Sequence, residues 1–215
     1  MVEATGFLYP FLDAAALDAA DVLADLGRSA AAKWDESRTL RQRALVELEE
    51  ALAQAAIAAA DRVHAGGRIL AFGNGGSATD ASAFVRMCDD AEARSLPAVS
   101  LAAEPAVLTA LANDIGVDVI FARQLAAHGR PGDVAIAFST SGGSANVLAA
   151  VEHARDAGIL TIAIAGYGGG ALRLRVDHCL RIDSDSVHRI QEAQTAVAAE
   201  LVARISTCLE RIGPS

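Results

Sequence analysis

The chain has 215 residues and a formal net charge of −9. That length fits one domain with a helical extension and buries about 70% of the unfolded surface, so neither disulfides nor metals are needed to hold it. Hydrophobic residues make up 53%, far above a disordered composition, while aromatics make up only 4%, which with the acidic balance argues against direct nucleic-acid binding.

In chain order, apolar residues at helical spacing predict a helix over about 11–29, with Phe11, Ala15, Leu23 and Leu26 on one face. A second helix is expected over about 39–65, carrying the stripe Leu40, Ala44, Leu48, Ala51, Leu52, Ala55 and Ala59 and stopping at Gly66-Gly67. Residues 68–72 (RILAF) then form a short apolar run ending in GNGGS, followed by a helix over about 78–87. Strands are expected at 97–101, 134–138, 161–165 and, on an edge, 178–182, with helices over 105–113, 119–127, up to about 157, and 187–212. Continuous apolar strands alternating with helices imply a parallel sheet covered on both faces, an α/β sandwich of about five strands. Ligands of such sheets bind beyond the carboxyl ends of the strands. The expected division is an N-terminal helical segment, 1–65, serving oligomerisation, and a ligand-binding domain, 66–215.

Two loops at strand carboxyl ends carry the chemistry. GNGGS (Gly73, Asn74, Gly75, Gly76, Ser77) lets successive N–H groups form an anion-binding nest at a helix start. It lacks both the last glycine of GxGxxG and the GK[ST] of a nucleoside-triphosphate loop, so neither dinucleotide nor ATP binding is supported. STSGGS offers four hydroxyls, Ser139, Thr140, Ser141 and Ser144, after an apolar strand and before a helix. Hydroxyls plus N–H donors suit a phosphate monoester. The alternative for Ser144 is an ordinary N-cap.

GNGGS, the Asn113-Asp114 pair, STSGGS followed by Ala145-Asn146-Val147, and Arg189-Ile190-Gln191-Glu192 fall in an order that resembles the sugar isomerase (SIS) domain family. Within it the chain looks most like bacterial phosphoheptose isomerases and the related replication-initiator-associating protein. The resemblance covers roughly 40–209. It implies a flavodoxin-like α/β/α sandwich with N-terminal helices, assembled as a homotetramer with sites at subunit interfaces. It implies phosphate contacts from Ser139, Thr140, Ser141 and Ser144. It implies sugar contacts from Asn74, Gly75, Gly76, Asn113 and Asp114, and a role for Gln191.

The departures concern proton transfer. The family's isomerases carry a His and, four residues on, a Glu after GNGGS, and a His in the last helix. Here those positions read Ala83, Met87 and Ala199, and a further His position reads Gln194. Three of the four family metal ligands are missing, so no metal or cofactor is expected. Aldose–ketose isomerisation needs a base near C1/C2, an acid for the oxygen and charge stabilisation. Ala and Met supply none of these. His188 and Glu192 are the replacement candidates, read against a surface His at a helix start and a first-turn carboxylate facing the helix dipole. Asp80 has the same first-turn reading. Cys88 reads as a small core residue.

Three functions stay open: a sugar-phosphate-binding protein without isomerase activity, an isomerase of a sedoheptulose 7-phosphate-like substrate with a rearranged site, and an assembly or regulatory partner of another protein. No basic segment precedes an apolar run and no apolar stretch reaches membrane length. Cys88, Cys179 and Cys208 form no CxxC pair. The expected setting is therefore cytoplasmic, as a homo-oligomer without a membrane partner.

Overall fold

The computed structural model describes residues 19–91 and 96–213. Seven α-helices and five strands alternate after a helical start: α1 (Ala19–Glu47), α2 (Glu49–His64), β1 (Ile69–Gly73), α3 (Gly76–Asp89), β2 (Ala98–Ser100), α4 (Pro105–Asp114), α5 (Ile120–His128), β3 (Val134–Ser139), α6 (Ala145–Asp156), β4 (Leu160–Ala165), β5 (His178–Arg181) and α7 (Val187–Ile212). All pairings are parallel, in the order β2-β1-β3-β4-β5. This is the flavodoxin order, whose switch point lies between β1 and β3.

The three central strands are buried along their whole length, which is why each reads as an unbroken apolar run. Alternate residues point to opposite faces. Ile69, Ala71, Ile136, Phe138 and Ile164 pack with α2, α3 and α7, while Leu70, Phe72, Ala135, Ala137 and Ala163 pack with α5 and α6. Phe84 of α3 meets Phe138 at 5.9 Å and Phe121 of α5 meets Phe72 at 5.4 Å, one aromatic pair per face. β5 closes one edge of the sheet, as expected, and β2 the other.

The N-terminal helices differ from expectation. Residues 11–18 of the first expected helix lie outside the described residues, and no break separates 29 from 39. Residues 29–38 contain neither Gly nor Pro and are rich in Ala, and Asp35 pairs with Arg38 one turn on at 3.1 Å, so α1 continues to Glu47. At Leu48 the i→i+4 pattern carries on, Leu48 N–H donating to Ala44 O at 3.0 Å and Leu52 N–H to Leu48 O at 2.8 Å. By compactness the chain divides after Arg38, and Thr39–Ser215 form one unit that includes α2 and the sheet.

Candidate functional site

β1 and β3 are neighbours in register, Gly73 opposite Phe138, so GNGGS and STSGGS leave the sheet side by side. Their helices leave toward opposite faces, α3 with α7 and α6 with α5. The two loops are tied by a reciprocal amide pair. Asn74 Nδ2 donates to Asn146 Oδ1 at 2.8 Å and Asn146 Nδ2 donates to Asn74 Oδ1 at 2.9 Å. Asn146 was quoted in the sequence pattern without a site role. It is buried at 5% exposure, and only the pairing of β1 with β3 reveals its partner.

Inside STSGGS the four hydroxyls differ. Ser139 is buried and its Oγ accepts the Gly142 N–H at 3.0 Å. Ser141 is exposed and its Oγ accepts the Gly143 N–H at 3.2 Å. Ser144 occupies the N-cap position of α6 but makes no capping hydrogen bond. Thr140 is half-buried with its hydroxyl toward no partner among the described residues. The Ala145 and Asn146 N–H groups of the first turn of α6 have no acceptor among the described residues. An uncapped first turn with adjacent hydroxyls presents donors and the positive end of a helix dipole to an anion.

Gly142 has φ +63, and a methyl group there would overlap Gly169 O. Together with the Leu172 N–H donating to Gly142 O at 3.0 Å, this wedges the loop against the chain that follows β4.

In GNGGS, Asn74, Gly75 and Gly76 are exposed and Ser77 is buried. The helix begins at Gly76, earlier than the expected 78, because Gly75 takes φ +54 and turns the chain at once. Ser77 is therefore inside the first turn, its N–H donating to Asn74 O at 2.9 Å. A methyl group on Gly76 would overlap the Gln191 side chain, so the Gln191 carboxamide from α7 lies directly on this turn.

The early start also moves Asp80 beyond the first turn, correcting its reading as a dipole-facing carboxylate. Burial pushes its carboxyl up to about 6. Oδ2 is buried without a partner, and Oδ1 accepts from Thr195 Oγ of α7 at 3.5 Å.

Asn113 and Asp114 are exposed at the end of α4, where Asn113 Nδ2 donates to Asp114 Oδ1 at 2.8 Å. No hydrogen bond among the described residues joins them to either loop. His188 is exposed on the first turn of α7. Glu192 accepts from the Arg189 guanidinium one turn away.

Met87 and Ala199 face one groove of about 540 Å³ between α3 and α7, with Val202, Ala203 and the carboxylates Asp90 and Glu210. Gln194 is fully buried, its Nε2 donating to Ile164 O at 2.8 Å. It ties α7 to β4. Cys88 is likewise in the core, where burial pushes the thiol up to about 12, leaving it inert as expected.

Residues 34–166 match the family model for the SIS domain. The chain is 40% identical over 184 residues to the phosphoheptose isomerase of Rhodospirillum rubrum, covering 81% of this chain and 98% of that one. Among solved structures, the phosphoheptose isomerase GmhA from Neisseria gonorrhoeae matches with a TM-score of 0.78 at 36% identity, over 86% of this chain and 99% of that one. The phosphoheptose isomerase from Francisella tularensis matches with a TM-score of 0.79 at 34% identity, over 84% and 97%.

Proposed function

The chain belongs to the SIS domain family, and from that premise we propose that it binds a phosphorylated sugar across the β1 and β3 loops without the proton-transfer set of an isomerase. The observation that carries the reading is the Asn74–Asn146 amide pair, which holds the two loops together at the switch point. Behind it, the uncapped first turn of α6 and the hydroxyls of Thr140, Ser141 and Ser144 offer the donors that a phosphate dianion needs. The exposed turn of Asn74, Gly75 and Gly76, with Gln191 lying on it, faces the rest of the ligand. Relatives named phosphoheptose isomerase support a sedoheptulose 7-phosphate-like ligand.

The metal held by the isomerases that the chain resembles, a zinc, does not fit the donor set here. Alanine offers no ligand atom at positions 83 and 199, and the Met87 thioether is a soft, neutral donor ill matched to a site built for imidazole and carboxylate. Among the described residues no three His, Cys, Asp or Glu side chains converge on one point.

A second reading, an isomerase with a rearranged site, is favoured by Asp80, whose carboxyl titrates near 6 beside Thr195. A group poised near neutrality suits acid/base work. The discriminating experiment titrates sedoheptulose 7-phosphate into the protein by calorimetry and follows aldose formation in parallel. Saturable binding without turnover supports the binding protein. Turnover that Asp80→Asn, His188→Ala or Glu192→Ala abolishes supports the enzyme. No binding of any sugar phosphate leaves the role of partner to another protein.

A further inference from the structure

Residues 167–170 all have positive φ: Tyr167 +45, Gly168 +72, Gly169 +91 and Gly170 +52. Three are glycines, which take this conformation freely. Tyr167 is the one non-glycine with positive φ among the described residues, and a bulky residue there is strained. A fourth glycine would serve the backbone better, so the side chain must supply something that glycine lacks.

Its surroundings show what that is. The segment after β4 is wedged between the phosphate loop and α7. A methyl group on Gly166 would lie 2.6 Å from both Thr140 O and the Ile190 side chain, and one on Gly170 would overlap Ser141 O. From this wedge the Tyr167 hydroxyl donates to Asp185 O at 2.7 Å. Asp185 lies in the short link between β5 and α7, two residues before Val187 begins the helix. Arg43 of α1 holds the same link, donating to Asp183 O at 2.6 Å. One turn into α7, Gln191 lies on Gly76. The chain of contact runs from Thr140–Gly142 through residues 166–170 and Tyr167 to the start of α7, and so to Gln191 on the GNGGS turn.

We propose that Tyr167 is a positioning residue whose hydroxyl, by tying the strained turn after β4 to Asp185, fixes the first turn of α7 and holds Gln191 in place to contact the sugar. The inference rests on the proposed function, with STSGGS taking the phosphoryl group and GNGGS plus Gln191 taking the sugar. It makes Tyr167 matter for the sugar end of the ligand and not for the phosphate end.

The test compares two probes, inorganic phosphate and sedoheptulose 7-phosphate, on the full chain and on Tyr167→Phe, which removes only the hydroxyl. The expected result is an unchanged phosphate Kd and a sedoheptulose 7-phosphate Kd raised about three- to tenfold, with faster hydrogen exchange at the amides of 190–193, the first in α7 that have an acceptor. Tyr167→Asn, which removes the ring but tolerates the left-handed backbone, should show the same split and guards against misreading a folding defect. If Tyr167→Phe moves both Kd values equally, or neither, the positioning role is overturned while the phosphate site stands. If the unaltered chain binds neither probe, the functional reading fails and this inference fails with it.

Discussion

Ser139 and Ser141 are two residues apart and identical in type, yet the fold gives them different work. Ser139 points into the protein and holds the loop by accepting the Gly142 N–H, while Ser141 faces outward. Ser141→Ala should therefore weaken sedoheptulose 7-phosphate binding by about 1.5–3 kcal/mol, the range for a hydrogen bond to a charged group, and leave stability nearly unchanged. Calorimetry and denaturation on the same sample check both halves, and an unaltered Kd counts against the assignment.

Asp80 makes a prediction in pH. The unfolded carboxyl ionises near the ordinary aspartate value of 3.8, and burial pushes the folded one up to about 6. Well below pH 3.8 both states are protonated and ionisation costs the fold nothing. Between about pH 4 and 6 the unfolded chain gives up this proton while the folded chain keeps it, so stability falls across that window and the loss is complete above it. Asp80→Asn should raise stability at pH 7.5 by on the order of 1 kcal/mol, the full linkage being discounted for partial exposure, with little change at pH 4. Equal shifts at both pH values would contradict the assignment. The sequence placed Asp80 in a helix but could not place it against α7, because that contact joins residues 115 positions apart.

At the scale of elements, strands and helices after residue 65 were legible because each has a strong local signal: a fully buried parallel strand is a continuous apolar run, and Gly or Ser marks its end. The starts of helices were less so. α3 begins at Gly76 because Gly75 adopts a left-handed turn, a choice that depends on the loop's own geometry. The unbroken α1 was missed because amphipathic spacing lapses over 29–38, where helix-forming Ala and the i,i+3 ion pair carry the chain without a core face.

The paired glycines of STSGGS show the same limit. Sequence cannot separate them. In the fold, Gly142 has a left-handed φ and abuts Gly169 O, whereas a methyl group on Gly143 meets nothing nearer than the Ser141 hydroxyl at 3.9 Å. Gly142→Ala should cost about 1–3 kcal/mol through overpacking and strain and disorder the phosphate loop. Gly143→Ala should stay within about 0.5 kcal/mol. Denaturant unfolding of the two variants side by side tests this, and similar losses in both would contradict the packing account.

At the scale of the whole molecule, the order β2-β1-β3-β4-β5 converts two separate loops into one site. The residue types in each loop were readable in the sequence. Their adjacency was not, since residues 74 and 146 meet only once the sheet has placed β1 beside β3. α3 and α7 pack closely, joined at Gly76 by Gln191 and at Asp80 by Thr195, and the groove further along them is lined by Met87, Ala199 and Ala203 with the Asp90 and Glu210 carboxylates at its end.

The most direct measurement is a crystal structure of the full chain with sedoheptulose 7-phosphate. The account predicts phosphoryl density within hydrogen-bonding distance of the Ser141 and Ser144 hydroxyls and the Ala145 and Asn146 N–H groups, with the sugar extending over Gly75 and Gly76 toward Gln191. Phosphoryl density held anywhere else on the protein, with the two loops untouched by ligand, would contradict it.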